Sequence, residues 1–136
     1  MTKLTVLLVK VGEVPIVAAF NSTTDSGYYN AMSSAVGGML EVIQLDDGVE
    51  LWCNEEALML DLPLNRVIPA KPRAAPTLFG QPVPIFYASP GLAKPGEPGE
   101  WRIHGDFFLA RSNDDGETVD IDQASIDKYT QLWAAR

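Results

Sequence analysis

The chain has 136 residues, 46% of them hydrophobic and 21% charged, which supports a single folded domain over residues 1–136 and excludes a disordered composition. Lys and Arg total 10 against 18 Asp and Glu, giving a net charge of -8. That balance excludes a binder that tracks nucleic-acid phosphates, which needs clustered basic residues to displace counterions. It suits solubility, a basic partner or a surface that imitates DNA.

Leu4 to Lys10 is nearly continuous in apolar side chains and reads as a strand buried on both faces. Gly12-Glu13 supplies a turn, and Ile16 to Phe20 reads as the partner strand, with Pro15 at its start. Asn21-Ser22-Thr23-Thr24-Asp25 is a cluster of helix N-cap candidates. Tyr28, Met32 and Ala35/Val36 recur behind it at helical spacing. Gly37-Gly38 ends that helix, because glycine enters the left-handed C-cap conformation without steric cost. Leu40, Val42 and Leu45 then lead into Asp46-Asp47-Gly48, and Val49 and Leu51 resume beyond it, the pattern of a tight hairpin. Trp52 and Cys53 extend its second strand toward Asn54-Glu55-Glu56. Leu58, Leu60, Leu62 and Leu64 alternate with Met59, Asp61 and Pro63 and predict a short extended segment ended by Pro63.

From Pro69 to Gly99 the composition changes: eight of the ten prolines and four glycines fall here, with Glu97 the only carboxylate. The segment is too Pro-rich for a regular element, yet Leu78, Phe79, Val83, Ile85, Phe86 and Tyr87 would be wasted in solvent. It reads as a partly ordered insertion or arm, residues 69–99, docking on its own core or on a second copy of the chain. Leu78, Phe79, Ile85, Phe86 and Tyr87 are the candidate self-association surface. Trp101 to Arg111 reads as the last strand, with Gly105 allowing a bulge, and Ser112 to Glu117 as an acidic loop. Asp122 can cap a closing helix whose apolar stripe is Ile126, Tyr129 and Leu132/Trp133. The sum is an α+β fold: one mostly antiparallel sheet of about five strands, two helices packed on one face, and a Pro-rich arm.

Chemistry is thinly signalled. Cys53, the lone cysteine, excludes an internal disulfide and a Cys-rich zinc site, and its place in a strand suits a small apolar residue better than a nucleophile paired with His104. The acids from Asp114 to Asp122 match no frame of a calcium-binding loop, so no metal and no cofactor are expected. No run approaches the ~20 apolar residues of a membrane span, and the N-terminal apolar run is too short for a secretory signal. The expected location is the cytoplasm.

One polar group stands out: Asn54, Glu55 and Glu56 with Asn65 and Arg66. Paired carboxylates can do acid-base work when burial separates their pKa values, or can hold a cationic or amide-bearing ligand. The plainer alternative is an internal clasp, with Arg66 bidentate to Glu55 or Glu56 and the asparagines closing turns.

At these residues the chain resembles a small family of domains of unknown function found in bacteriophages and mobile elements of Gram-positive bacteria. The resemblance rests on Val36-Gly37-Gly38, Leu40-Glu41-Val42, Asp46-Asp47-Gly48, Asn54-Glu55-Glu56 and Leu62-Pro63-Leu64-Asn65-Arg66. Ile103-His104-Gly105-Asp106-Phe107-Phe108 and the closing helix through Ile126 and Tyr129 extend it. Typical members carry glycine where this chain has Ala57, and a shorter, less Pro-rich segment in place of the arm. The resemblance implies an origin in a phage or plasmid of a high-GC host and brings no assigned activity. The expected function is that of a non-enzymatic accessory protein binding a host protein in the host cytoplasm, including in counter-defence. A small-ligand binder of nucleotide type, with its site at Asn54, Glu55, Glu56, Asn65 and Arg66, and an enzyme using Glu55 or Glu56 are the alternatives.

Overall fold

The computed structural model of the chain describes residues 3–22, 27–45, 48–70, 77–78, 81–82 and 99–134. Two compact units emerge, one formed by Met1–Asn65 with His104–Arg136 and the other by Arg66–Ile103. The first unit holds a sheet whose strands run in the order β2 (Ile16–Asn21), β1 (Lys3–Val9), β9 (Phe107–Ser112), β4 (Val49–Asn54), β3 (Leu40–Gln44), and β10 (Thr118–Val119) adds a sixth on β9. Every pairing in it is antiparallel. In the second unit β5 (Leu64–Ala70) pairs with β8 (Gly99–His104), and β6 (Thr77–Leu78) with β7 (Gln81–Pro82). Leu78 therefore sits in β6, while Phe79, Ile85, Phe86 and Tyr87 lie outside the described residues.

The two hairpins form locally, and β9 joins them. It pairs Leu109 with Leu7 on one side and with Leu51 on the other, so Phe107, Phe108, Leu109 and Ala110 lose all contact with water. A strand flanked on both sides and covered on both faces needs an unbroken apolar run, which Phe-Phe-Leu-Ala supplies. β4, its neighbour, is likewise buried on both faces.

The helices pack on opposite faces of this sheet, not on one. Successive residues of a strand point to opposite sides. Phe108 belongs to a cluster with Leu4, Val6, Phe20 and the Met32 and Val36 side chains of α1 (Tyr29–Val36). Phe20 meets Phe108 edge-on at 4.9 Å, and Trp52 stacks on it at 6.3 Å. Phe107, one residue earlier, packs instead edge-on against Trp133, which follows α2 (Gln123–Leu132), at 5.4 Å. Because both faces of β9 are apolar, the sheet needs a cover on each side.

Three further expectations change. The segment from Leu58 to Leu64 is a turn until Leu64, where β5 starts, because hydrogen bonds between neighbours close it on itself before any partner strand is available. Trp101 to Arg111 is two strands, β8 and β9, broken at Gly105, whose φ of 82° turns the chain. The cap of α1 is Tyr28, which makes no side-chain capping bond, and Asn21 closes β2 instead. Thr23 to Asp25 lie outside the described residues. The C-terminal end behaves as expected, with Gly37 left-handed at φ 79° and its N–H on the Ser33 carbonyl. Gly48 likewise carries the positive φ of the β3–β4 turn, 75°, while Asp46 and Asp47 are outside the described residues. Asp122 caps α2 through Ser125 N–H, and the buried stripe of that closing segment is Ser125, Tyr129 and Trp133, with Leu132 exposed.

Candidate functional site

Asn54 ends β4 and is 3% exposed. A primary amide buried this deeply needs partners on both ends. Its Nδ2 donates to the Val36 carbonyl at 3.1 Å, one of the carbonyls orphaned at the end of α1, and its Oδ1 accepts Glu56 N–H at 2.8 Å. Gly38 makes room for it, since a Cβ built there would lie 2.9 Å from Asn54 Nδ2. The two glycines thus serve different needs: Gly37 its φ, Gly38 the close approach of Asn54. Glu55 N–H then donates to the Met39 carbonyl at 2.8 Å.

The chain next makes one helical turn, with Leu60 N–H on the Glu56 carbonyl at 2.9 Å. Leu62 N–H reaches back to Ala57 at 2.9 Å and Asp61 N–H to Leu58 at 3.1 Å. These paired bonds around a left-handed residue form a Schellman motif, with Asp61 at φ 54° in the place glycine usually takes. Position 57 needs no positive φ, and Ala57 is buried there as an apolar anchor.

Asn65 repeats the role of Asn54 at the turn's exit. Its Nδ2 donates to the Val9 carbonyl at 2.8 Å and to the Gly105 carbonyl at 2.9 Å. Gly105 N–H answers with a bond to the Pro63 carbonyl at 2.7 Å, and a Cβ on Gly105 would meet Leu62 Cδ1 at 2.8 Å. His104 Nδ1 lies 3.1 Å from the Leu62 carbonyl. A carbonyl oxygen can only accept, so Nδ1 carries the proton. Asp106 Oδ1 accepts Val11 N–H at 2.9 Å. His104, Gly105 and Asp106 are thus fastened to the turn's exit and to the β1–β2 connection.

Cys53 is buried, and its thiol is pushed up to about 12 by desolvation and then by the charge of Glu41 across the ladder. A thiol in that state is a packing group, not a nucleophile. Glu41 itself is raised by desolvation and by Glu55. Glu55 faces solvent and Glu56 is half-buried. Arg66 belongs to the second unit and is buried, which lowers its pKa.

A family model described as a domain of unknown function, DUF3846, matches residues 2–134. The chain belongs to this family. No curated protein and no solved structure matches it. In this DUF3846 chain the asparagines of Asn54-Glu55-Glu56 and Leu62-Pro63-Leu64-Asn65-Arg66 spend their amide groups on backbone, and of the two glutamates Glu55 is the one exposed to solvent.

Sequence reasoning passed over Glu50, which is 5% exposed. Its carboxylate accepts from Thr118 Oγ1 at 2.9 Å, Trp52 Nε1 at 3.3 Å and Gln44 Nε2 at 3.3 Å, all neutral donors. The signal was its two-residue spacing from Trp52, which puts both on the α1 side of β4. Among the described residues no cluster of His, Cys, Asp or Glu is placed to hold a metal. The Ser112 to Glu117 loop is built by Asn113, whose Oδ1 accepts from Asp115 N–H at 3.0 Å and Glu117 N–H at 2.9 Å. Among the described residues no helix is long and apolar enough to cross a membrane.

Proposed function

We propose that this DUF3846 protein is a non-enzymatic accessory protein of bacteriophage or mobile-element origin that acts by binding a host protein, in a counter-defence setting. The observation that carries this reading is the turn between Asn54 and Asn65. Leu58, Met59, Leu60 and Leu64 are exposed on it, Met59 at 81%, although the backbone beneath is fixed by five hydrogen bonds from Glu56, Ala57, Leu60, Asp61 and Leu62. Large apolar side chains held in water on a rigid support are the character of an interface core. Glu55, Glu56 and Asp61 neighbour them in the sequence, on a chain of net charge -8, so the matching surface is an apolar pocket rimmed by Lys and Arg. Binding to such a surface uses no preorganised contact rearrangement on this side, because the turn is already closed.

The test is a retention experiment with immobilised wild-type protein and a Leu58→Asp/Met59→Asp variant in host lysate. The reading expects one basic host protein on the wild type, absent from the variant, with association slowing as salt rises. Identical retained sets on the two proteins would remove its support.

A further inference from the structure

Among the described residues Glu50 is the only buried carboxylate, 5% exposed. Its partners Thr118, Trp52 and Gln44 are all neutral, and no described Lys, Arg or His pairs with it. Buried charges are ordinarily held by an opposite charge, because neutral donors leave the charge itself uncompensated. The bonding is also uneven. Oε1 accepts from both Thr118 and Trp52, whereas Oε2 accepts from Gln44 alone, at 3.3 Å. A carboxylate oxygen has two acceptor positions, so among the described residues one position on Oε2 stays open.

Glu50 stands opposite Gln44 in the ladder, and Trp52 opposite Val42, so all four side chains lie on the α1 face of the sheet. α1 covers the neighbouring part of that face, where Met32 and Val36 pack with Leu4, Val6, Phe20 and Phe108. Over β3 the cover ends: Val42 and Gln44 are exposed and Trp52 is half-buried. Gln44 is therefore the one donor that a rotation of an exposed side chain removes from Glu50. An ammonium group suits the position it leaves. It brings the missing positive charge to Oε2, and the Trp52 indole, bonded to the same carboxylate, sets an electron-rich aromatic surface beside it. We propose that Glu50 and Trp52 form a binding site for a primary ammonium group, with Gln44 as its displaceable cover. The site lies on the sheet and does not rest on the apolar turn of the preceding section, so either can fail without the other.

The Trp52 indole N–H, which points at the site, is the reporter; its nuclear magnetic resonance signal is the one missing from Trp52→Phe. The full chain is titrated with propylammonium chloride to about 50 mM, well above the roughly millimolar Kd that one charge-assisted bond and one aromatic contact support. Sodium chloride at equal ionic strength and 1-propanol are the controls. Saturable movement of the Trp52 signal is expected with propylammonium alone, and none in Glu50→Gln. Gln44→Ala, a change at an exposed side chain, removes the cover and is expected to tighten binding about threefold, the worth of one competing hydrogen bond. Nα-acetyl-lysine methylamide separates the sources: binding as tight as that of propylammonium admits a lysine side chain of another protein, and binding tenfold weaker confines the site to free amines. No saturable movement with propylammonium in either the wild type or Gln44→Ala would overturn the proposal. So would equal movement with sodium chloride or 1-propanol, or a Gln44→Ala protein that binds more weakly than the wild type.

Discussion

Asn54 and Asn65 are polar side chains directed inward, each tying backbone segments that are distant in the chain. The turn between them does the reverse and holds Leu58, Met59 and Leu60 in solvent. The usual sorting of polar and apolar groups is inverted on both counts within a few residues. A buried amide tolerates its position because backbone groups satisfy it, and removing it would leave those groups unmatched. Exposed leucines gain nothing from the fold, so their position asks for an explanation outside the folded chain. Polarity alone is a poor guide to which residues serve function; what each one touches is a better one.

The contrast is broken most severely at Asn54. Asn54→Ala strands the Val36 carbonyl and the Glu56 N–H, and is expected to cost about 3 kcal/mol, a fall of roughly 10 °C in melting temperature. Gly38→Ala attacks the same bond from the other side. The added methyl would sit 2.9 Å from Asn54 Nδ2, and displacing the amide should cost about 2 kcal/mol by chemical denaturation. A double variant that loses no more than Asn54→Ala alone would confirm that the two act as one unit.

Away from this clamp, Asp122→Ala should cost about 1 kcal/mol, the ordinary value of a helix cap. The Ser125 hydroxyl and amide and Arg111, at 2.9 Å, hold the Asp122 carboxyl below the usual aspartate range. A depressed folded-state pKa means stability present above the unfolded value near 3.9 and lost as pH falls through the lower folded value. The gap between wild type and Asp122→Ala should therefore be full at neutral pH and shrink toward zero in acid. At the turn's tip the expected effect is smallest: Met59→Ser should change stability by no more than about 0.5 kcal/mol in the same denaturation assay. A large destabilisation there would show that the apolar tip serves the fold, and would erase the contrast with Asn54.

Much of the local structure was legible. Gly37 and Gly48 were expected to take positive φ, Asp122 to cap the last helix, and the paired strands around Gly12 and Gly48 to form hairpins, and each does so. These are decisions made within a few residues by steric and capping chemistry. The turn after Glu56 was misread because alternating leucines imitate a strand, whereas the ladder that a strand requires was absent. In the candidate site, the prominence of Asn54 and Asn65 was visible but their targets were not, since Val36, Gly105 and Val9 lie 18, 40 and 56 residues away.

From the sequence alone came the class, α+β with a mostly antiparallel sheet, together with membership of a family without an assigned activity. Its turns, caps and hairpins were written in Gly, Asp and Asn because those residues control the backbone at short range. Tertiary structure decided the rest. It placed β9, late in the chain, between two early hairpins, and so required apolar cover on both faces and a helix on each. It turned Asn54 and Asn65 inward and left Leu58, Met59 and Leu60 outside. Such choices depend on which distant groups meet, and no local pattern encodes that.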